Sequence, residues 1–438
     1  MNFRRVFKLE AILSAVLAKA NSERAKSTAW ALVGLAGPTG IQLIYMIVAA
    51  RALGATQAGN LFLVISVATV TLSFVGLGGG GLVMRQTSRD PSSAPLCFGQ
   101  AQAMTLVTLA VLLPLVAPAA MLVTKGALPL WLIVLVAGSE MLAMRMLTTC
   151  WQLFIAKEQQ VRAGLTFCSM PFARLCAVSF AWLWPPEHRL QALAVLYCVS
   201  SLTAVTGALL YVRSKIGPPK LTLKGYQFRD GASFAMTWLN ASLQTESDKL
   251  ILSFFASPAA VAVYTIASRL MDGAAMPPRA LKTSFQSKLF REGAKGHLST
   301  YRFTLKILPL TVAYGLLAWA GFALLAPMFV LVFGPRYGEL ARILPILGAL
   351  PLLRAISDFG AEIFLASDRP SIQAATQTVA TIARVAIGFS LIAPFKLEGA
   401  IATALVVNLM SGIVLWTIAW LLSRGPPEVP TAEQGRPA

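Results

Sequence analysis

The chain has 438 residues, 56% of them hydrophobic and 13% charged, with a formal net charge of +19. Soluble proteins carry about 45–50% apolar and about 25% charged residues, so the composition excludes a soluble enzyme, a disordered protein and a secreted disulfide scaffold. In a chain of mean hydropathy +0.69 the positive excess marks cytoplasmic loops of a membrane protein, not a nucleic-acid partner.

The first 27 residues hold six positive charges and no long apolar stretch, unlike a cleavable signal peptide. Phe3, Val6, Phe7, Leu9 and Leu13 fall near one helical face. This segment reads either as an interfacial helix or as a solvated basic leader. Twelve stretches then approach the roughly 20 apolar residues that a membrane helix needs. They are 28–50, 57–79, 101–123, 128–154, 163–184, 191–212, 231–255, 260–283, 305–332, 341–366, 372–394 and 397–422. Gly78 to Gly81 closes the second, Pro185 and Pro186 the fifth, and Pro218 and Pro219 follow the sixth. The tail 423–438, with four prolines, reads as disordered.

The polar break 213–230 divides the chain into an N-terminal bundle, 28–212, and a C-terminal bundle, 231–422, of six spans each. "AGNLFLVIS" (58–66) follows the first span much as "VAVYTIAS" (261–268) follows the seventh. An even number of spans per half makes these parallel repeats, with a substrate site expected between them. With the N-terminus inside, 25 of the 37 Lys and Arg residues lie on inner segments, six on outer loops and six within spans. That asymmetry places both termini in the cytoplasm.

Four strings resemble one known family. They are "AARALGATQAGNLFLVISVATVTLSFVGLGGGGLVMRQTSR" (49–89), "ESDKLILSFFASPAAVAVYTIASRL" (246–270), "LVFGPRYGELARILPILGALPLL" (331–353) and "LEGAIATALVVN" (397–408). Together they resemble the Wzx-type polysaccharide flippases of the multidrug/oligosaccharidyl-lipid/polysaccharide exporter superfamily. The resemblance implies an all-α membrane protein of about twelve helices in two V-shaped bundles around a central cavity. It also implies the task of moving a polyprenyl-pyrophosphate-linked oligosaccharide across the bacterial inner membrane. The glycan would feed exopolysaccharide, O-antigen or capsule synthesis. The first span lacks the charged pair of the related lipid II flippases, which argues against a peptidoglycan precursor as cargo.

Twelve ionisable residues fall inside spans: Glu140, Arg145, Arg174, Glu246, Asp248, Lys249, Arg269, Asp272, Arg354, Asp358, Glu362 and Arg384. A charge at a helix centre costs about 2.5–3.5 kcal/mol on insertion scales, so such groups face a partner or a cavity. Glu246 with Lys249, Arg269 with Asp272, and Arg354 with Asp358 stand at helical pairing distance, and Glu362 extends the last face. Mutual neutralisation accounts for such pairs. Arg174 and Arg384 have no acid within four residues on their own helices and occupy the fifth and eleventh spans, equivalent places in the two halves. Arginine's planar, always-charged fork suits a pyrophosphate. The anionic-cargo site is therefore assigned to Arg174 and Arg384, then Arg145, Arg354 and Lys249. Asp248, Asp358 and Glu362 are the coupling-ion candidates, with proton, sodium or no coupling all left open. Gly37, Pro38 and Gly40 form either a hinge or a packing notch, and Pro277 with Pro278 a hinge or a helix stop.

Five cysteines without a CxxC pattern, and two histidines outside the spans, give no metal site. No loop is long enough for an extramembrane catalytic domain, so no catalytic residues and no cofactor are expected. The expected partners are the lipid-linked substrate, membrane lipids and the polysaccharide polymerase or export machinery, with a monomer as the default state. The competing reading is a cation-coupled multidrug exporter of the same superfamily.

Overall fold

The computed structural model describes residues 23–424. The leader face at residues 3–13 and most of the proline-rich tail fall outside the described residues. Within them all regular structure is helical. Helix α1 runs Glu23–Thr71 and is split at Gly54 (φ 74°, ψ 171°) into two arms, 23–53 and 55–71. Then follow α2 (Gly79–Arg89), α3 (Ala94–Val123), α4 (Leu130–Ala156), α5 (Gln160–Ala181), α6 (Arg189–Ile216), α7 (Phe228–Phe255), α8 (Pro258–Ala274) and α9 (Met276–Gly293). The chain finishes with α10 (His297–Phe333), α11 (Glu339–Leu347), α12 (Leu350–Ala366) and α13 (Pro370–Ser423). A non-helical Lys396 (φ 50°) divides α13 into two arms.

Eight helical segments of the described residues are long and apolar enough to cross a membrane. Two of these, the first and the last, are two-armed. Helix α7 carries Asp230, Glu246, Asp248 and Lys249, and α8 is short, so both fall below that threshold while filling the seventh and eighth places. Twelve crossings result. Their outward faces are apolar, with Leu317 71% and Leu324 79% exposed on α10. Such a continuous apolar surface is tolerated when it faces lipid rather than water.

The cores explain the V shape. One cluster joins both halves through Ala58, Leu61, Val261, Ala262, Leu340 and Ile401. It lies near the loops after residues 53, 123, 181, 255, 333 and 395, at what charge counting makes the outer end. Toward the opposite end the halves keep separate cores, one around Phe98, Leu147 and Phe154 and one around Phe364 and Leu415. A shared core at one end and separate cores at the other leave a cleft between the bundles.

The breaks differ from the sequence expectation in two places. The second span does not run to Gly79: its helix stops at Thr71, turns fill 72–78, and the glycines open α2. There Gly80 lies so close to Gln152 that a Cβ would stand 1.7 Å from Oε1. The eighth span ends at Ala274, and Pro277 and Pro278 occupy the first turn of α9, where proline costs no hydrogen bond. The 37–40 segment remains helical despite Pro38. The linker after α6 lies against the N-terminal half through Lys220 N–H to Pro95 O (3.0 Å) and Gln100 Nε2 to Lys224 O (2.7 Å). Tyr226 then donates to the carbonyls of Gly76 (3.0 Å) and Leu77 (2.8 Å). Burial pushes its phenol well above the ordinary value, so it stays a donor.

Candidate functional site

Between the bundles lies a cavity of about 400 Å³. The first arm of α1 contributes Pro38, Thr39, Gln42 and Tyr45, and the second arm Phe62 and Ser66. Glu140 (α4), Arg174 (α5), Glu246 and Lys249 (α7), Arg269 and Asp272 (α8) and Arg279 (α9) complete the charged lining. Four cations therefore face three carboxylates.

On the N-terminal side Arg174 is not solitary. Its Nη2 meets both carboxylate oxygens of Glu140, at 2.6 and 2.5 Å, and its Nη1 donates to Gln42 Oε1 at 3.2 Å. Tyr197 from α6 donates to the same carboxylate and lies under the guanidinium, 5.6 Å from Cζ to ring centre. The expectation of an unpartnered arginine is thus corrected. The partner comes from a neighbouring helix, which no within-helix spacing reveals. Arg174 keeps unused capacity, because its Nε is buried without a partner among the described residues, as is the Tyr45 hydroxyl.

On the C-terminal side the charges form a chain. Lys249 pairs with Glu246 (2.7 Å), Glu246 with Arg269 (3.2 Å), Arg269 with Asp272 (3.5 Å) and Asp272 with Arg354 (2.6 Å). Ser66 from α1 donates to Glu246 at 2.7 Å, tying the chain to the other half. The i,i+3 pairs Glu246–Lys249 and Arg269–Asp272 form as the spacing predicts. The expected Arg354–Asp358 pair does not, because Arg354 turns to Asp272 instead. Three cations against two acids leave this chain with one positive charge.

Arg384 is likewise partnered across helices. It holds Asp248 through Nε (3.0 and 3.2 Å) and Nη2 (2.7 Å), and Tyr264 donates to the same carboxylate at 2.7 Å. This repeats the Arg174–Glu140–Tyr197 arrangement with acid and tyrosine from non-equivalent helices. Arg384 does not reach the central cavity. It lines a small pocket of about 80 Å³ with Asp358, Gln244, Gln377, Asn408 and Ser411. Asp358 is half-buried and has no ion pair or hydrogen bond among the described residues. Glu362 is 2% exposed and is held by Lys282 (3.4 Å) and Gln286 (3.2 Å) of α9.

Arg145 falls outside the cavity lining. It donates to the Leu72 carbonyl, which also accepts the Val75 N–H in the turns after the second span's helix, and its side chain packs under Gly76. No carboxylate pairs with it among the described residues. Its place is that of a strut for the 72–78 turns, which corrects its assignment to the cargo site. Of the five proposed cargo residues, Arg174 and Lys249 line the cavity and Arg354 reaches it through Asp272. Arg269, Arg279, Gln42 and Tyr45 line the cavity and Tyr197 backs Arg174 from behind it, and the sequence reasoning assigned none of them to the site. Only the basic character of 269–279 signalled two of them. Among the described residues no His, Cys, Asp and Glu cluster is fit for a metal ion.

A helical V with a polar cavity at its cleft is the architecture of the MOP superfamily transporters, and solved structures bear this out at the level of fold. The chain is similar to a multidrug resistance MATE family transporter in its inward-facing conformation, with a TM-score of 0.73, 14% identity, and coverage of 90% of this chain and 98% of the other. The outward-facing conformation of such a transporter gives a TM-score of 0.61 at 14% identity, covering 92% and 96%. A MOP superfamily transporter from Pyrococcus furiosus, described as having a binding pocket of reverse polarity that suggests a different function, gives 0.62 at 15% identity, covering 90% and 95%. Among curated proteins there is no sequence match. The family model described as polysaccharide biosynthesis protein matches residues 25–290, and the chain belongs to that family.

Proposed function

We propose that this protein flips a polyprenyl-pyrophosphate-linked oligosaccharide from the inner to the outer leaflet of the bacterial inner membrane by alternating access. The observation that carries the reading is the charge of the cleft: Arg174, Lys249, Arg269 and Arg279 against Glu140, Glu246 and Asp272. In a low-dielectric cleft a surplus cation strongly favours an anion. Arg174 adds a guanidinium suited to phosphate oxygens, and its Nε has no acceptor among the described residues. Membership of a polysaccharide biosynthesis family supports the glycan part of the cargo.

The conformation described here corresponds to the inward-facing state, closed at the outer end by the shared core. Cargo enters from the cytoplasmic leaflet with its pyrophosphate at Arg174 and Lys249 and its lipid tail in the bilayer. Rocking of the bundles then exposes it outward. Both termini are cytoplasmic, and the flipped unit passes to a polysaccharide polymerase.

The second reading, a cation-coupled multidrug exporter, draws on the likeness to MATE transporters. Reconstitution in proteoliposomes separates the two. A polyprenyl-pyrophosphate disaccharide should become accessible on the far leaflet at a rate at least tenfold above protein-free vesicles, while a cationic dye gains no protein-dependent flux. Dye transport without glycolipid flipping would overturn the proposal in favour of the exporter.

A further inference from the structure

The described residues hold a second polar cavity, of about 810 Å³, that shares no lining residue with the transport cleft. It lies where the start of α10 meets the ends of α9 and α13. Lys295, Arg302, Lys306 and Arg369 supply cations, and Glu292 is the sole carboxylate of the lining. That carboxylate is already engaged, by Lys295 at 2.8 Å and by the Ser299 hydroxyl. Those hydrogen bonds hold its carboxyl below the ordinary carboxylate range, so it offsets one cation and no more. Arg369 has a partner of its own, and without it the pocket keeps a surplus of two positive charges.

Arg302 and Lys306 stand one turn apart on α10, so their heads share a face. Arg302 has no ion pair or hydrogen bond among the described residues. Helix α10 also begins without a side-chain cap. Beneath the charges the lining turns apolar at Phe303, Leu421 and Leu422. It continues into exposed lipid-facing side chains at Leu305 and Leu310. The level is that of an interface: the apolar run of α10 starts directly after Lys306, and Arg424 sits 3.7 Å over the Trp420 ring at the same end of α13.

We infer that this pocket binds the phosphate headgroup of an anionic phospholipid, with its acyl chains against the apolar flank of α10 and α13. A free anion would use the cations and leave the apolar wall idle, whereas a phospholipid uses both. The site lies on the face that charge counting assigns to the cytoplasm, and it braces α9 and α10 against the closing arm of α13.

The test is binding of acyl-labelled phosphatidylglycerol and phosphatidylcholine to the full-length protein in neutral detergent micelles. Phosphatidylglycerol should bind the more tightly. Each cation near an anionic headgroup is worth about fivefold in affinity, so the double variant Arg302→Gln/Lys306→Gln should lose roughly 25-fold. Both side chains are exposed, and gel filtration should show an unchanged profile. A matched variant, Arg213→Gln/Lys215→Gln, removes the same charge at the end of α6 and should change affinity less than about twofold. Equal losses in the two variants, or no preference for phosphatidylglycerol, would overturn the inference. Displacement of the labelled lipid by millimolar inorganic phosphate would assign the pocket to free phosphate and overturn it equally.

Discussion

At the scale of single residues, the pairing of Arg174 with Glu140 changes what a substitution there would mean. Removing one member of a buried pair leaves an uncompensated charge and costs about 3–5 kcal/mol. Arg174→Ala alone would therefore confuse loss of fold with loss of function. The double variant Arg174→Met/Glu140→Gln removes both charges, and the retained amide still offers Tyr197 an acceptor. Membrane abundance should recover to near wild type while polysaccharide export stays at least tenfold down, because the pyrophosphate ligand is gone. Export recovering together with abundance would make the pair purely structural. Asp358 poses the complementary case. Asp248 and Glu362 are engaged by Arg384 and by Lys282, which leaves Asp358 as the coupling candidate free to take a cation. In Asp358→Asn, any dependence of proteoliposome transport on a proton or sodium gradient should vanish with the protein still folded. A gradient dependence equal to wild type would remove Asp358 from coupling.

At the scale of elements, the order and number of spans were legible because apolar runs of about 20 residues have few alternatives. The internal breaks were not. Leu72, Phe74, Val75 and Leu77 continue the hydropathy of the second span, so nothing local announces that the helix stops at Thr71. What supports the stop is remote: Arg145 and Tyr226 donate to the carbonyls of Leu72, Gly76 and Leu77, beside the local turn bonds. The same limit hid the partners of Arg174 and Arg384, which lie 34 and 136 residues away in the chain. Pairs three residues apart on one helix were read correctly. The hinge assigned to 37–40 is a further matter, since Pro38 deprives the helix of one hydrogen bond without breaking it here. A Cβ at Gly40 would meet nothing within 4 Å, and one at Gly37 only Cys168 Sγ at 3.4 Å. Alanine at both positions is therefore sterically harmless and adds about 1 kcal/mol of helix propensity each. If this segment bends during the cycle, Gly37→Ala/Gly40→Ala should slow export several-fold at unchanged abundance. Undiminished export would leave the cluster as a packing notch.

At the scale of the whole molecule, the outer end is closed by the shared core and by contacts in which one half meets the backbone of the other. Arg51 of the first arm of α1 donates to the carbonyls of Val332 (2.7 Å) and Leu331 (2.6 Å) at the end of α10. Tyr337 donates to Ala50 at 3.3 Å. Gly59 approaches α8 so closely that a Cβ would stand 1.8 Å from the Pro258 carbonyl oxygen. Gly59 lies in 58–66 and Pro258 stands just before 261–268, and both of these echoing stretches feed the shared core, so the likeness between halves marks the seam at which they meet. An alternating-access cycle has to part this seam. Gly59→Ala raises the helix propensity of its arm, so propensity alone predicts a more stable helix. A contact at 1.8 Å outweighs that gain, since backbone cannot yield as a flexible side chain does. In a cysteine-free background, spin labels at the exposed Thr56 and Ser257 should report a longer, broader distance in Gly59→Ala than in the parent. Transport should fall because the inward-facing state is depleted. A distance distribution identical to the parent would mean that the closure does not rest on the Gly59–Pro258 approach, and that the Arg51 and Tyr337 contacts to opposing carbonyls hold the seam without it.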